Sequence, residues 1–213
     1  MSNNPWPRRY PRSQEETKKP AGDEKETPKL TVESIDNHVY FYAVVDADRS
    51  LALMRAIREI DGKLENEYGS RNLPADFPRT PIWLHIHSYG GELFAGLGVA
   101  DQLQGIRTPI YSIVEGCAAS ASTLIAMACT RRYITPTAFI LIHQLSSFMW
   151  GTYEQIRDDV HMLDMAMDSL TSFYAGRSKI PRAEVAELLK HDTWFNAAQA
   201  VERGLVDEIW SPK

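Results

Sequence analysis

Two spacings of apolar residues organise the chain beyond its first thirty positions. Short runs rich in β-branched and aromatic residues are typical of strands, and segments with an apolar residue every three or four positions are typical of helices. Within the segment Ser50–Tyr68, Leu53, Ile57, Ile60 and Leu64 share one helical face. This segment is the first predicted helix.

The same analysis along the rest of the chain predicts strands that alternate with helices. The predicted strands are His38–Val45, Pro81–His87, Ile110–Val114, Arg132–Thr135, Ala138–Ile142 and Val206–Trp210. The further predicted helices are Glu92–Leu103, Ser120–Cys129, Thr152–Tyr174, a short helix after Pro181, and Ala197–Arg203. Thr152 and Gln155 fit a capping box, and Gly176 is predicted as the C-cap of the long helix. The alternation indicates an α/β domain with a largely parallel sheet.

Residues 1–30 depart from this pattern. They hold five of the twelve prolines, seven basic and five acidic residues, and almost no aliphatic ones. Such a segment buries too little apolar surface to offset the entropy of ordering it. We predict a flexible polar tail over 1–30 and a single folded domain over 31–213. Trp6 and Tyr10 in the tail are a candidate docking epitope, and a solvated tail is the alternative.

Composition narrows the class of protein. The net charge of −5 disfavours a nucleic-acid binder, which usually carries a basic face. Two cysteines, Cys117 and Cys129, exclude a disulfide framework and a cysteine-rich zinc site. No uncharged apolar run reaches the roughly 18 residues of a membrane span, and the N-terminus has no signal-peptide core. We therefore expect a cytoplasmic protein with no membrane or nucleic-acid partner.

The first candidate site is the segment Ser88–Glu92, between a predicted strand and a helix. Gly90 and Gly91 allow a sharp turn that points backbone N–H groups outward beside a helix N-terminus, which suits an anion or a developing oxyanion. No phosphate-loop pattern follows. A plain strand-to-helix turn is the alternative.

The second candidate is the segment Gly116–Ser122, where small residues around Ser120 leave room for a substrate backbone. The pattern differs from the Gly-x-Ser-x-Gly elbow of α/β-hydrolases, and a serine that opens a helix is more often an N-cap than a nucleophile. Cys117 is an alternative thiol nucleophile, although no basic residue adjoins it.

The third candidate is His143, a titratable residue at the end of an apolar run. Its near-neutral pKa suits a general base, and a structural histidine is the alternative. His85 and His87 share one strand face and offer a metal-binding alternative, but no neighbouring carboxylate completes a ligand set in the sequence. Spacing alone does not single out an acid that would complete a triad.

Four motifs in order resemble the proteolytic subunit of the Clp (caseinolytic) protease family, ClpP. The resemblance runs from about residue 35 to residue 210. The family's Ser-Pro-Gly-Gly turn is similar to Ser88–Gly91, and its Gly-x-Ala-Ala-Ser segment to Gly116–Ser120. Its Ile-His-Gln run is similar to Ile142–Gln144, and its Gly-Leu-Val-Asp block to Gly204–Asp207.

The resemblance implies an α/β, crotonase-like fold of the ClpP type, with repeated β-β-α layers and a protruding handle helix. It implies a serine-type endopeptidase with Ser120 as nucleophile, His143 as general base and Asp192 as the acid of the triad. The backbone N–H groups of Gly91 and Ala121 fall on the family's oxyanion hole. The implied peptide-binding residues flank Gly91 and His143; they are Glu92, Leu93, Leu145 and Ser146.

The resemblance also implies partners. The subunits of the family form homo-heptamers or double rings of fourteen, which hydrolyse unfolded polypeptides fed by an AAA+ unfoldase. ATP is used by that separate partner, and this chain needs no cofactor and no metal. The alternatives are a phage capsid-maturation protease, a non-catalytic ClpP-like ring subunit and a crotonase-type acyl-CoA enzyme.

Several positions depart from the family pattern. Tyr89 replaces the proline of the turn, and Leu145 replaces the proline after His-Gln. His191 replaces an arginine that, in the family this chain resembles, takes part in the contact between the two rings. The family's apolar unfoldase pocket is matched only in part, so the usual unfoldase is disfavoured. The residues at its matching places are Trp83, His85, Gly105, Ile113 and Glu115.

Overall fold

The fold is that of a computed structural model, which describes residues 32–71, 74 and 77–211. The predicted tail of residues 1–30, with Trp6 and Tyr10, lies outside the described residues and stays a prediction. Over the described ranges the chain forms eight strands and six helices. The strands are β1 (Glu33–Ile35), β2 (His38–Phe41), β3 (Ile82–Ser88), β4 (Ile110–Ala119), β5 (Arg131–Ile134), β6 (Phe139–Ile142), β7 (Thr193–Asn196) and β8 (Glu208–Ile209). The helices are α1 (Ala47–Ser70), α2 (Leu93–Gln104), α3 (Ala121–Ala128), α4 (Tyr153–Arg177), α5 (Arg182–Leu188) and α6 (Ala197–Glu202).

The sheet is largely parallel, as predicted. β2, β3, β4, β5 and β8 lie side by side in parallel, and β1 pairs antiparallel with β2. β4 has two successive partners, because residues 111–114 pair with β5 and residues 117–119 pair with β6. β7 then pairs antiparallel with β6. The far end of β4 thus meets β6 just before the chain turns into α3.

The core packs apolar side chains of the sheet against the helices. In β2, Val39 and Phe41 are fully buried, whereas the alternating residues His38 and Tyr40 lie on the other face. Leu53 and Ile57 of α1 are also fully buried, which confirms the face predicted from their spacing. Each such side chain contributes roughly 1.5–3 kcal/mol by leaving water.

Helix α4 is packed over only part of its length. Every residue from 153 to 162 is exposed, whereas Ala166, Leu170, Thr171 and Tyr174 in the following turns are buried. The helix contacts α3 and α5. The first three turns therefore project from the domain as a handle. The predicted capping box of Thr152 and Gln155 is present.

Three local expectations were wrong. Gly176 does not end α4, because the helix continues to Arg177, whose guanidinium lies over the Phe173 ring, and the Ser178 hydroxyl donates to the Tyr174 carbonyl. β4 extends to Ala119 rather than ending at Val114, because its last residues gain β6 as a partner. The strands β1 and β7 were not predicted at all; each pairs antiparallel with a single neighbouring strand.

Candidate active site

Ser120 lies at the sharp turn between β4 and α3 in a strained backbone conformation. Its φ and ψ are 55° and −129°, where non-glycine residues are uncommon. Such strain persists only where the surrounding structure enforces it, and it is frequent at active sites. Ser120 occupies the N-cap position of α3, yet its side chain makes no capping hydrogen bond. The N-cap interpretation is therefore wrong for the hydroxyl group, which is free for other chemistry.

Buried hydrogen bonds hold this turn from both sides. The Ser120 N–H donates to the Leu141 carbonyl of β6 at 2.9 Å, and the Thr123 hydroxyl donates to the Ser120 carbonyl at 2.6 Å. The fully buried Ser122 hydroxyl accepts the Ala119 N–H at 2.9 Å and shares its proton between the carbonyl oxygens of Ser88 and Ala119. Sequence reasoning missed Ser122 and Thr123. The signal was available, because hydroxyls in an otherwise apolar buried helix need partners.

The Gly90–Gly91 loop packs directly on this turn. A Cβ atom at Gly90, whose φ is +90°, would lie 2.5 Å from the Ala119 carbonyl oxygen and 2.7 Å from Ser120 Cβ. At Gly91 it would lie 2.1 Å from the Val45 carbonyl oxygen. Only glycine fits these two contacts.

Val45 fixes the direction of the Gly91 amide. The Val45 N–H donates to the Gly90 carbonyl at 2.9 Å, and the Glu92 N–H donates to the Val45 carbonyl at 2.8 Å. In such a parallel bridge the intervening residue points its own N–H and C=O to the opposite side. The Gly91 N–H therefore faces away from Val45, on the side of the loop where a substrate strand could pair.

Antiparallel pairing brings Asp192 to His143. Ile142 of β6 is paired with Thr193 of β7, so the next pair in the ladder is His143 with Asp192. The distance from His143 Nδ1 to Asp192 Oδ1 is 3.5 Å, and the Asp192 side chain is 76% exposed. The contact is longer than a normal hydrogen bond. The spacing of residues in the sequence did not identify the acid of a triad. In the structure, the pairing of β7, a strand that was not predicted, places Asp192 beside the imidazole.

One cavity of about 180 Å³ collects eight of the predicted site residues. Its lining comprises Gly91, Glu92, Leu93, Ser120, Ala121, Leu124, His143, Gln144, Leu145, Ser146, Leu170 and Tyr174. Asp192 does not line the cavity and contacts His143 from outside it. Among the described residues no hydrogen bond joins Ser120 Oγ to His143. Catalytic hydrogen bonds are often long in ligand-free structures and shorten when substrate binds.

The cysteine and metal alternatives find no support. Burial raises the pKa of the Cys117 thiol and raises that of Cys129 to about 12, so neither is a ready nucleophile. His85 donates to the Glu115 carboxylate at 2.8 Å and lies 2.9 Å from His38 Nδ1. The structure therefore does bring a carboxylate and a further imidazole to His85, which the sequence did not indicate. Still, within the described ranges no group of three or more His, Cys, Asp or Glu side chains is arranged to hold a metal ion.

Comparison with known proteins identifies the family. A family model described as Clp protease matches residues 45–213. The chain belongs to the Clp protease family. It is 33% identical to the ATP-dependent Clp protease proteolytic subunit 2 of Tropheryma whipplei over 154 residues, which cover 70% of this chain and 86% of that protein.

Two further relatives are similar over a smaller share of their length. Proteolytic subunit 2 of Cutibacterium acnes is 33% identical over 141 residues, 65% of this chain and 66% of that protein. Proteolytic subunit 3 of Streptomyces avermitilis is 34% identical over 142 residues, 64% of each chain. Membership in this protease family confirms the predicted recognition and the predicted ClpP-type α/β fold.

The departures from the family pattern occupy different environments. Tyr89 is 73% exposed, with its ring 5.9 Å from that of His87. The Leu145 N–H donates to the Met167 thioether at 3.5 Å, so the residue in place of the proline is anchored to α4. His191 is exposed and donates its N–H to the Leu188 carbonyl.

Four of the five residues at the matching places of the unfoldase pocket lie together on two paired strands. Trp83 and His85 lie on β3, and Ile113 and Glu115 lie on the neighbouring strand β4. Gly105 instead forms the C-cap of α2. Aromatic rings surround Trp83, whose centroid lies 5.2 Å from Tyr111 and 5.1 Å from Trp210. None of the helices within the described ranges combines the length and apolar character that a bilayer span requires.

Proposed function

We propose that this protein is a serine-type endopeptidase that hydrolyses unfolded polypeptides to short peptides. The observation that supports this most directly is that Ser120 and His143 line the same cavity. Asp192 contacts the His143 ring from outside that cavity. The strained backbone at Ser120 is typical of active sites, and the absence of a capping bond leaves its hydroxyl available as a nucleophile. The names of the relatives, all proteolytic subunits, support the same activity.

In the proposed mechanism His143 takes the hydroxyl proton of Ser120 as Oγ attacks a peptide carbonyl carbon. Asp192 orients the imidazole and stabilises its charged form. The N–H groups of Gly91 and Ala121 bind the oxyanion, and one such donor is worth roughly 10²–10³ in rate. The C–N bond then breaks as the imidazolium gives its proton to the leaving amine. Water, activated by His143, hydrolyses the acyl-enzyme and returns Ser120 to its free form.

We further propose that subunits assemble into a homo-heptameric ring or a double ring, fed by an AAA+ unfoldase. The exposed apolar side chains on the protruding half of α4 support self-association. The relatives are named as subunits of ATP-dependent proteases, which supports the ATPase partner. Cleavage of short peptides would then need no nucleotide, and the enzyme would act in the cytoplasm, where ATP is available.

A serine-directed fluorophosphonate tests the proposed chemistry. The wild-type protein should be labelled and should hydrolyse a fluorogenic peptide, whereas Ser120→Ala should lose both. Asp192→Asn should keep some labelling but lose about 10²-fold or more in kcat, because the imidazole loses its orienting partner. Ser169→Ala, which removes an exposed hydroxyl from α4, is the matched control. Full peptidase activity in Ser120→Ala would contradict the assignment of the nucleophile.

A further inference from the structure

One acidic residue lines a cavity whose other described lining residues carry no carboxylate. Glu92 follows Gly91 directly and occupies the N-cap position of α2. Its side chain makes no capping bond, and among the described residues it has no hydrogen-bonding or ionic partner. No lysine or arginine lines the cavity within the described part of the chain. Glu92 is thus an exposed acidic residue at the cavity, with no neutralising lysine or arginine among the described lining residues.

One part of the cavity is apolar. Leu124, Leu170 and Tyr174 are buried in its floor, and Leu93 and Leu145 lie partly exposed above them. Such a floor accepts an apolar side chain of a bound peptide. Glu92 adds a carboxyl group at the edge of this floor.

The position of Glu92 relates it to the scissile bond. Consecutive Cα atoms are 3.8 Å apart, so Glu92 is one residue from the amide of Gly91. In the proposed mechanism that amide holds the oxyanion of the bond being cleaved. If a peptide pairs as a strand along residues 91–93, its side chains next to the scissile bond lie close to Glu92. A lysine or arginine side chain one to three residues from the scissile bond can then reach the Glu92 carboxylate.

We propose that Glu92 makes the site select polypeptide segments that carry a lysine or arginine beside the apolar residue, and discriminate against acidic segments. The inference rests on the proposed function, because it assumes cleavage at Ser120. An exposed ion pair changes an equilibrium constant by about 2- to 5-fold. Attraction of a lysine together with repulsion of a glutamate should thus separate the two peptides by about 5- to 20-fold in kcat/KM.

The test compares fluorogenic peptides within each variant of the full-length protein. Every peptide has a leucine at the cleaved position, and lysine, glutamine or glutamate is placed one, two or three residues away on either side. The measured quantity is the ratio of kcat/KM for the lysine and glutamate peptides, which cancels any general change in activity. Wild type should favour lysine at one or more positions, and the preference should shrink at high salt.

Three variants separate Glu92 from the general charge of the protein. Glu92→Gln should bring the ratio close to one, and Glu92→Lys should invert it. Asp101→Asn removes the same charge from the same helix, about 14 Å further along at 1.5 Å per residue, and should retain the wild-type ratio. A ratio near one in wild type at every position overturns the inference, and so does an equal loss of preference in Asp101→Asn.

Fluorophosphonate labelling and the glutamine peptides distinguish this failure from failure of the proposed function. If Ser120 is labelled and the glutamine peptides are cleaved without any charge preference, only the inference on Glu92 is wrong. If Ser120 is not labelled and no peptide is cleaved, the proposed function is wrong and the inference falls with it. A lysine preference that Glu92→Lys inverts supports both.

Discussion

At the scale of single residues, His38 lies on the outer face of the sheet, the face opposite the buried Val39 and Phe41. His38 on β2, His85 on β3 and Glu115 on β4 form a row of hydrogen bonds across three strands. Glu115 accepts the Nδ1 proton of His85, and Nε2 of the same ring lies 2.9 Å from Nδ1 of His38. The Tyr42 hydroxyl donates to the same carboxylate. Charge and aromatic rings thus replace the aliphatic side chains found on the inner face.

We predict that this row makes stability depend on pH. Partial burial, and next the proximity of His85, lower the pKa of His38 from its usual 6.5, while Asp36 opposes them. The unfolded chain then binds a proton at a higher pH than the folded one does. The contribution of His38 to stability is therefore complete above pH 6.5, declines as the pH falls below that value, and is gone below the lowered pKa.

Thermal unfolding at about pH 7.5 and about pH 5 measures this effect. His38→Asn should show a smaller fall in Tm between the two conditions than wild type does. His161→Asn, which alters an exposed histidine on α4, should show the wild-type fall. An identical fall in wild type and His38→Asn would exclude His38 as a source of the pH dependence.

At the scale of elements, a chain of hydroxyl groups connects α4 to the candidate nucleophile. The Thr123 hydroxyl of α3 donates to the Ser120 carbonyl, so its single proton is committed. The hydrogen bond between Thr123 and the buried Tyr174 of α4 must then have tyrosine as its donor. Burial raises the pKa of Tyr174, which keeps its hydroxyl protonated as this donor. The handle helix is thereby connected to the Ser120 turn by two hydrogen bonds in series.

We predict that the two hydroxyls are strongly coupled in stability. Thr123→Val should lower the free energy of unfolding by about 1–3 kcal/mol, because it leaves the Tyr174 hydroxyl buried without a partner. Tyr174→Phe should cost about 0.5–1.5 kcal/mol, because Thr123 keeps its bond to Ser120. The double variant should lose less free energy of unfolding than the two single variants lose in sum. Urea unfolding measures all three.

The rate of Ser120 labelling separates positioning from stability in these variants. Thr123→Val should slow labelling more than Tyr174→Phe does, since it removes the bond to the Ser120 carbonyl itself. Thr123→Ser keeps the hydroxyl and should restore the rate. Strict additivity in the double variant, with unchanged labelling throughout, would show that the two hydroxyls act independently of the nucleophile.

At the scale of the whole molecule, the protruding half of α4 is the surface that most needs a partner. Ile156, Val160 and Met162 are between 37% and 42% exposed in these first three turns, and Met165 in the next turn is 54% exposed. Ile156 and Val160 continue the apolar seam that farther along packs Leu170 and Tyr174 into the core. The C-terminal part of this seam is thus buried inside the domain, and its N-terminal part is available for contact with another subunit.

We predict that Val160→Asp reduces both assembly size and peptidase activity, because it introduces a charge into this exposed apolar surface. Sedimentation velocity should show wild type as a ring near 169 kDa, seven chains of 24.1 kDa, or as a double ring of twice that mass. Val160→Asp should shift the protein to smaller species. His161→Asp, on the polar side of the same turn, is the matched control and should assemble normally. A fully active 24.1 kDa monomer of the wild type would contradict the link between assembly and catalysis.

The local sequence anticipated much of this fold. Apolar spacing located α1 and its buried face, the capping box located the start of α4, and small residues marked the turns at Gly90 and Ser120. These features depend on neighbours within a few positions, where helix and strand periods fix which residues share a face. Gly176 was misjudged because contacts of Arg177 and Ser178 extend the helix past it.

Three juxtapositions, two at the candidate site and one on the opposite face of the sheet, depended on the tertiary structure. Asp192 lies 49 positions from His143, and it meets the imidazole only because β7 pairs with β6 in one particular register. The same holds for Glu115 beside His85 and for Glu92 in the Ser120 cavity, which are brought together by strand pairing and helix packing. The sequence by itself determined most of the elements, all but β1 and β7, and the chemically able residues, because periodicity and side-chain type are local. Which of those residues face one another was decided by the sheet register, because pairing between distant segments sets distances that no spacing along the chain encodes.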